Sequence, residues 1–415
     1  MRALLLAAAL LTPALAPAQD VLIRGARVHT AASAGTLEDA DVLVSGGKIA
    51  DVGKGLAAPA GAAVVEANGR PLTPGLFGGL TQIGLEEVNQ EESTYDAELK
   101  LEAPAWQHMW RPEFDVTPAF NARSILLPVA RIEGVTWGML APQPAESLVV
   151  GQGSAVTLDG RFDAALDGSR TLYVNWGSKA HDASGGSRAA QYMLFDQAIR
   201  EVREPGGSGS AALLLPEGRA ALKGYLAGGR VVFFVQRAAD IREVVHYALK
   251  NGMKPVIAGG AEAWLVAEGL AAAKVPVVLD ALQDLPSDFD RLGSRLDNAK
   301  LLHDAGVPIA FSWDESFNLR KNRQLAGNAV AHGLPWEAAL AAITSSPADI
   351  FGIGDAHGRI QKGESADLVL WSGDPLEVTS VAEQVWIAGA PVAMESRQTE
   401  LRDRYLERLK AGTAR

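Results

Sequence analysis

The sequence predicts an α/β fold: a (β/α)8-type barrel carrying a smaller β domain assembled from both ends of the mature chain. Three observations predict it. The 415 residues exceed one ordinary domain and suit a barrel of about 250–300 residues plus a satellite. Strand-like runs alternate with helix-like ones through the middle of the chain, which is the pattern of a parallel α/β fold. Short alternating apolar runs with Gly-rich turns recur near both ends, which is the pattern of hairpins.

The first residues, MRALLLAAALLTPALAPAQD, read as a secretory leader over residues 1–18. Arg2 supplies the positive charge, residues 3–11 the apolar run, and Ala16-Pro17-Ala18 the small-x-small site. The apolar run is too short to span a bilayer of about 30 Å, and no later segment approaches about 18 unbroken apolar residues. The mature protein is therefore expected to be periplasmic or secreted, with no membrane association.

VLIRGARVHT (21–30) and ADVLVSGGKIADVG (40–53) open the β domain over residues 19–72. ADLVLWSGDP (366–375) and VAEQVWIAGAPV (381–392) return to it over residues 356–395. Between them, residues 73–355 carry the barrel. RVVFFVQ (230–236), KPVIAGG (254–260), VPVVLD (275–280) and VPIAFSWD (307–314) read as strands. AADIREVVHYALKNG, AEAWLVAEGLAAAK and RLGSRLDNAKLLHDAG read as helices, the first and last stopped by Gly252 and Gly306. REPGGSGSA (203–211) and ASGGS (183–187) are connectors, and residues 396–415 form a charged terminal helix.

Composition narrows the function classes. With 38 basic and 49 acidic side chains the net charge is −11, and there is no basic block, which argues against nucleic-acid binding. The chain has no cysteine, so disulfides are excluded and any zinc site would need nitrogen and oxygen ligands. The seven histidines, His29, His108, His181, His246, His303, His332 and His357, form no His-x-His or i, i+4 pair. His108 and His181 lie in loop-like stretches that could line a barrel mouth. Glu86, Glu87, Glu91 and Glu92 offer paired carboxylates, although a solvated acidic loop explains them as well. Trp106, Trp110 and Phe114 read as core packing or a pocket wall.

LTPGLFGGLTQIGLEEV (72–88), GVTWGMLAPQP (134–144), GQGSAVTLDG (151–160) and the long run AAITSSPADIFGIGDAHGRIQKGESADLVLWSGDPL (341–376) resemble the amidohydrolase superfamily, in particular its imidazolonepropionase-like members. The resemblance implies a TIM-type barrel with a composite β-sandwich domain. It also implies one or two divalent metals, usually zinc, held by a first-strand histidine pair, later-strand histidines, a last-strand acid and often a carboxylated lysine. The metal would turn bound water into hydroxide near neutral pH.

Carried over by position, the histidine pair falls on Leu80 and Gln82, and the later histidines on Phe234 and Gly259. No lysine takes the bridging position. The last strand keeps an acid, Asp314, the candidate catalytic residue as a residual general base. Gln82, Gln236 and Trp313 stand as candidate binding residues. Zinc catalysis needs about three protein ligands plus water, so no metal or other cofactor is expected here. The resemblance then implies a degenerate, pseudoenzyme-like relative that binds a small molecule, as a homodimer or beside an intact paralogue. The alternative is a hydrolase of C–N bonds using an atypical or metal-free site.

Overall fold

The computed structural model describes residues 19–88, 91–99, 110–143, 147–204, 212–313 and 315–413. The expected leader over residues 1–18, Trp106, His108 and Asp314 lie outside the described residues.

Both ends of the chain meet in one eight-stranded sheet. From the N-terminal side it takes β1 (Val21–His29), β2 (Thr36–Ser45), β3 (Lys48–Gly53), β4 (Ala63–Glu66) and β5 (Pro71–Pro74). The barrel strands follow: β6 (Leu76–Thr81), β7 (Val135–Leu140), β8 (Val149–Gly153), β9 (Ala155–Thr157), β10 (Thr171–Asn175), β11 (Arg230–Val235), β12 (Lys254–Gly259), β13 (Val277–Leu279) and β14 (Ile309–Phe311). The chain then returns to the terminal sheet as β15 (Leu368–Trp371), β16 (Ala382–Ile387) and β17 (Ala390–Pro391).

β5 is the joint. It pairs parallel with β1 and antiparallel with β15, and so couples the two ends of the sequence. β1 itself changes partner along its length, pairing β4 through Val21–Arg24 and β5 through Arg27 and Val28. That switch folds the sheet over its own core, where Ile23, Val28, Val42, Leu72, Leu368 and Trp386 are buried.

The barrel region departs from eight parallel strands in a closed ring. β6 pairs parallel with β7, and β10 to β14 form a second parallel ladder. Between β7 and β10 lies a single kinked segment. Its first half, β8, runs antiparallel to β10, and its second half, β9, antiparallel to β7. The described strands thus give a six-stranded and a three-stranded sheet, with no continuous closed ladder.

Side chains join β6 to β14 where the ladder does not. The Leu80 N–H donates to Ser312 Oγ at 2.8 Å, and Asn322 Nδ2 to the Phe77 carbonyl at 3.1 Å. Gly79, at φ +88°, makes that approach possible, since a Cβ there would lie 2.7 Å from Ser312 Oγ. Phe77, Trp137, Tyr173, Val232, Val256 and Phe351 fill the interior, while the outer helices pack on the other faces of the strands. Trp110 is buried and meets Phe195 edge-on at 5.3 Å, which is a core role.

Among the described residues, no helix is long and apolar enough to cross a membrane. The terminal helix, Arg397–Thr413, is largely exposed.

Candidate functional site

The carboxyl ends of β6, β11, β12 and β13 surround a cavity of 370 Å³. Loops at this end of a β/α barrel are held by the rigid strands beneath them, which is why barrel proteins place ligands there. Leu80 and Gln82 enter from β6, Phe234 and Gln236 from β11, Gly259 from β12, and Asp280 from the residue after β13. A neighbouring recess of 240 Å³ shares Lys179, Phe234, Gln236 and Arg291 with it and adds Trp176 and Asp288.

Both candidate glutamines reach this cavity, and both amides are already engaged. Gln82 is 7% exposed; its Nε2 donates to the Ala141 carbonyl at 3.2 Å, and its Oε1 accepts from Ser316 Oγ at 3.3 Å. Gln236 Oε1 accepts from the Ala261 N–H at 3.1 Å. Gln236 also fills a position that a ligand side chain would need. Gly259 has φ +92°, and a Cβ built on it would sit 2.1 Å from Gln236 Nε2. No side chain fits at residue 259 while Gln236 keeps its place.

Trp313 is not among the residues lining either recess. Its backbone N–H donates to Asn322 Oδ1, its indole N–H to Glu315 Oε2 at 3.1 Å, and Lys321 lies 4.0 Å from its ring centroid. Asp314 lies outside the described residues.

The cavity's charged groups were not singled out from sequence. Lys179 lies 5.4 Å from the Phe234 ring centroid. Arg291 donates from Nη1 to Gln283 Oε1 at 2.9 Å and pairs with Asp288 at 3.1 Å. Asp280 had a legible signal, since it directly follows a barrel strand. Lys179 had a weaker one: in NWGSKAHDASGG the histidine drew attention instead. The 3-10 turn Gly177–Ala180 leaves Lys179 lining the cavity and His181 outside it, half-exposed and 3.4 Å from Asp182.

An ionic clamp fixes the loops around the mouth. Arg188 donates to Asp240 at 2.9 Å and to Asp290, and Arg237 donates to Asp240 at 2.7 Å. Asp290 also accepts the Ser178 N–H at 2.9 Å. Burial works to raise the Asp290 carboxyl, but the Ser178 and Arg188 contacts prevail and hold it below the usual carboxylate range. The loops after β10, β11 and β13 are thereby tied together.

The acidic loop is structural by its contacts. Glu87 accepts from Asn121 Nδ2, Ser124 Oγ and the Ile125 N–H, at 2.9, 2.9 and 3.1 Å. Burial raises the carboxyl of Glu86. No described histidine lines the mouth. His29 meets Thr36 at 2.9 Å and packs at a tilt against Trp336, and His357 meets Asp367 at 2.9 Å.

Among the described residues, no group of three His, Asp or Glu side chains converges to hold a metal ion. Among the described residues, the donor set at the mouth does not fit a divalent centre: it offers neutral amides, the single carboxylate of Asp280 and two cations that would repel a third.

Residues 217–398 match the amidohydrolase family model. Over nearly its whole length the chain is similar to an amidohydrolase from Thermotoga maritima MSB8, at 26% identity and a TM-score of 0.80, covering 90% of this chain and 99% of that one. In sequence and in fold the chain resembles the amidohydrolase superfamily. The chain is also 29% identical over 370 residues to an adenine deaminase of Deinococcus deserti, covering 85% of itself and 56% of that relative. It is 36% identical over 114 residues to an imidazolonepropionase of Paracidovorax citrulli, covering 26% of each. It thus spans about half or less of the length of these curated relatives.

Proposed function

We propose that this chain binds a small polar molecule at the barrel mouth without metal–hydroxide chemistry. One observation carries the reading: the Gln236 amide occupies the volume in which a ligand side chain at residue 259 would begin. Leu80 on β6 has no lone pair to donate, and Gln82 uses its amide on Ala141 and Ser316. What the cavity does supply is charge and hydrogen bonding. Lys179 and Arg291 suit an anionic group, and Asp280 a cationic or N–H-bearing one.

The leader composition supports a periplasmic or secreted location. Leu285, Phe289 and Leu292, 70%, 88% and 63% exposed on the loop after β13, support pairing with a second copy or an intact paralogue.

The superfamily relatives favour a second reading, hydrolysis of a C–N bond through a metal-free site with Asp280 or Asp314 as base. A thermal-shift screen of small amides, amino acids and carboxylates, with parallel hydrolysis assays, separates the two. Binding without turnover, equal in chelator and in added zinc, is expected. Turnover that requires zinc would overturn the proposal, and zinc-independent turnover would favour the second reading.

A further inference from the structure

A larger cavity, of 570 Å³, opens at the opposite end of the barrel. Arg230 and Lys254 begin β11 and β12, and Pro276 and Pro308 immediately precede β13 and β14, so the cavity sits at the amino ends of the strands. That end of a barrel ordinarily serves stability alone. A concavity of this size is in the range of small-molecule sites.

Its charge is one-sided. Arg230, Lys254 and Lys274 line it against a single carboxylate, Asp349, which Arg359 already engages. Arg230 is the telling group. It is partly buried, and its Nη1 makes only long contacts, 3.3 Å to the Ser169 carbonyl and 3.4 Å to Thr171 Oγ1. Among the described residues no carboxylate pairs with it, and burial lowers its pKa. A guanidinium withdrawn from water without a counter-ion is unfavourable, and an anion from solution would relieve it.

The walls are apolar. Val256, Val275 and Ile350 contribute, together with Leu249, which is 45% exposed. Lys274 adds a conformational observation. It holds φ +53°, in the left-handed region where glycine is favoured, yet it is a lysine at the cavity's rim.

We propose that this cavity is a second ligand site for an amphiphilic anion. A compact negative head sits among Arg230, Lys254 and Lys274, and an apolar body lies against Leu249, Val256 and Ile350. The site is independent of the mouth cavity and of the reading given to it.

Titration of the full chain with decanoate, decanol and inorganic phosphate tests the assignment. Decanoate should bind saturably, one per chain, with decanol and phosphate each at least about tenfold weaker, because each lacks one half of the recognition. Lys274→Gly should weaken decanoate about 2–5-fold while leaving the unliganded melting temperature unchanged or raised, since the left-handed strain is relieved. Lys274→Arg should restore affinity, and Lys254→Glu combined with Lys274→Gly should weaken it at least about tenfold. Equal binding of decanol, absence of saturable binding, or affinity unchanged in the double variant would overturn the proposal.

Discussion

Placing a histidine at residue 259 is the most searching perturbation of the mouth, because it attempts to rebuild what the superfamily carries there. A non-glycine residue at φ +92° costs about 1–2 kcal/mol in backbone strain. Its Cβ, 2.1 Å from Gln236 Nε2, also forces that amide away. Gln236 then loses the bond it accepts from the Ala261 N–H, on a residue 6% exposed, for about 1–3 kcal/mol more. The sum is about 2–5 kcal/mol, a drop in melting temperature of about 2–6 °C for a chain of this size. Gly259→Ala carries the same Cβ and should lose nearly as much. Combining it with Gln236→Ala removes the collision, so the two changes should couple by about 1–3 kcal/mol in a thermal-denaturation cycle. If Gly259→Ala melts within about 1 °C of the parent, or the cycle closes additively, the steric reasoning fails.

Three further outcomes are expected. Leu80→His with Gln82→His should produce neither zinc binding by calorimetry nor hydrolysis, because Phe234 and Gly259 still supply no ligand. Asp290→Asn should cost about 1–3 kcal/mol at neutral pH by urea denaturation, since it weakens the clamp on a 3%-exposed carboxylate. Because the folded Asp290 carboxyl is depressed, its contribution is complete above the unfolded value near 3.9 and lost as pH falls through the folded value, so the variant should show a shallower acid limb. Glu87→Ala should destabilise by about 1–3 kcal/mol, and Glu87→Gln by less, because the acidic loop is held through three accepted bonds.

The terminal sheet was legible because its strands alternate apolar and polar residues and are separated by turn residues, as in VLIRGARVHT and ADLVLWSGDP. Helix stops at Gly252 and Gly306 were legible for a local reason too, both having φ near +80°. Strand direction was not. GQGSAVTLDG has the apolar run of a barrel strand, but nothing in such a run encodes whether it lies parallel or antiparallel to its neighbour. Only the partner's position decides that.

The mouth shows the same division. Gln82 and Gln236 could be placed because both follow strand runs. The clamp of Arg188 to Asp290 joins residues 102 positions apart, and no local pattern announces such a pair. Nor could the sequence show that Gln236 fills the space beside Gly259, since that contact depends on the pairing of β11 with β12.

The measurement closest to the central claim is the metal content of the full chain, purified without chelator and analysed by inductively coupled plasma mass spectrometry. Zinc, nickel, manganese and iron should all fall far below one equivalent per chain after dialysis. A full equivalent of any of them, lost together with ligand binding in a variant of Asp280 or Gln82, would contradict the account.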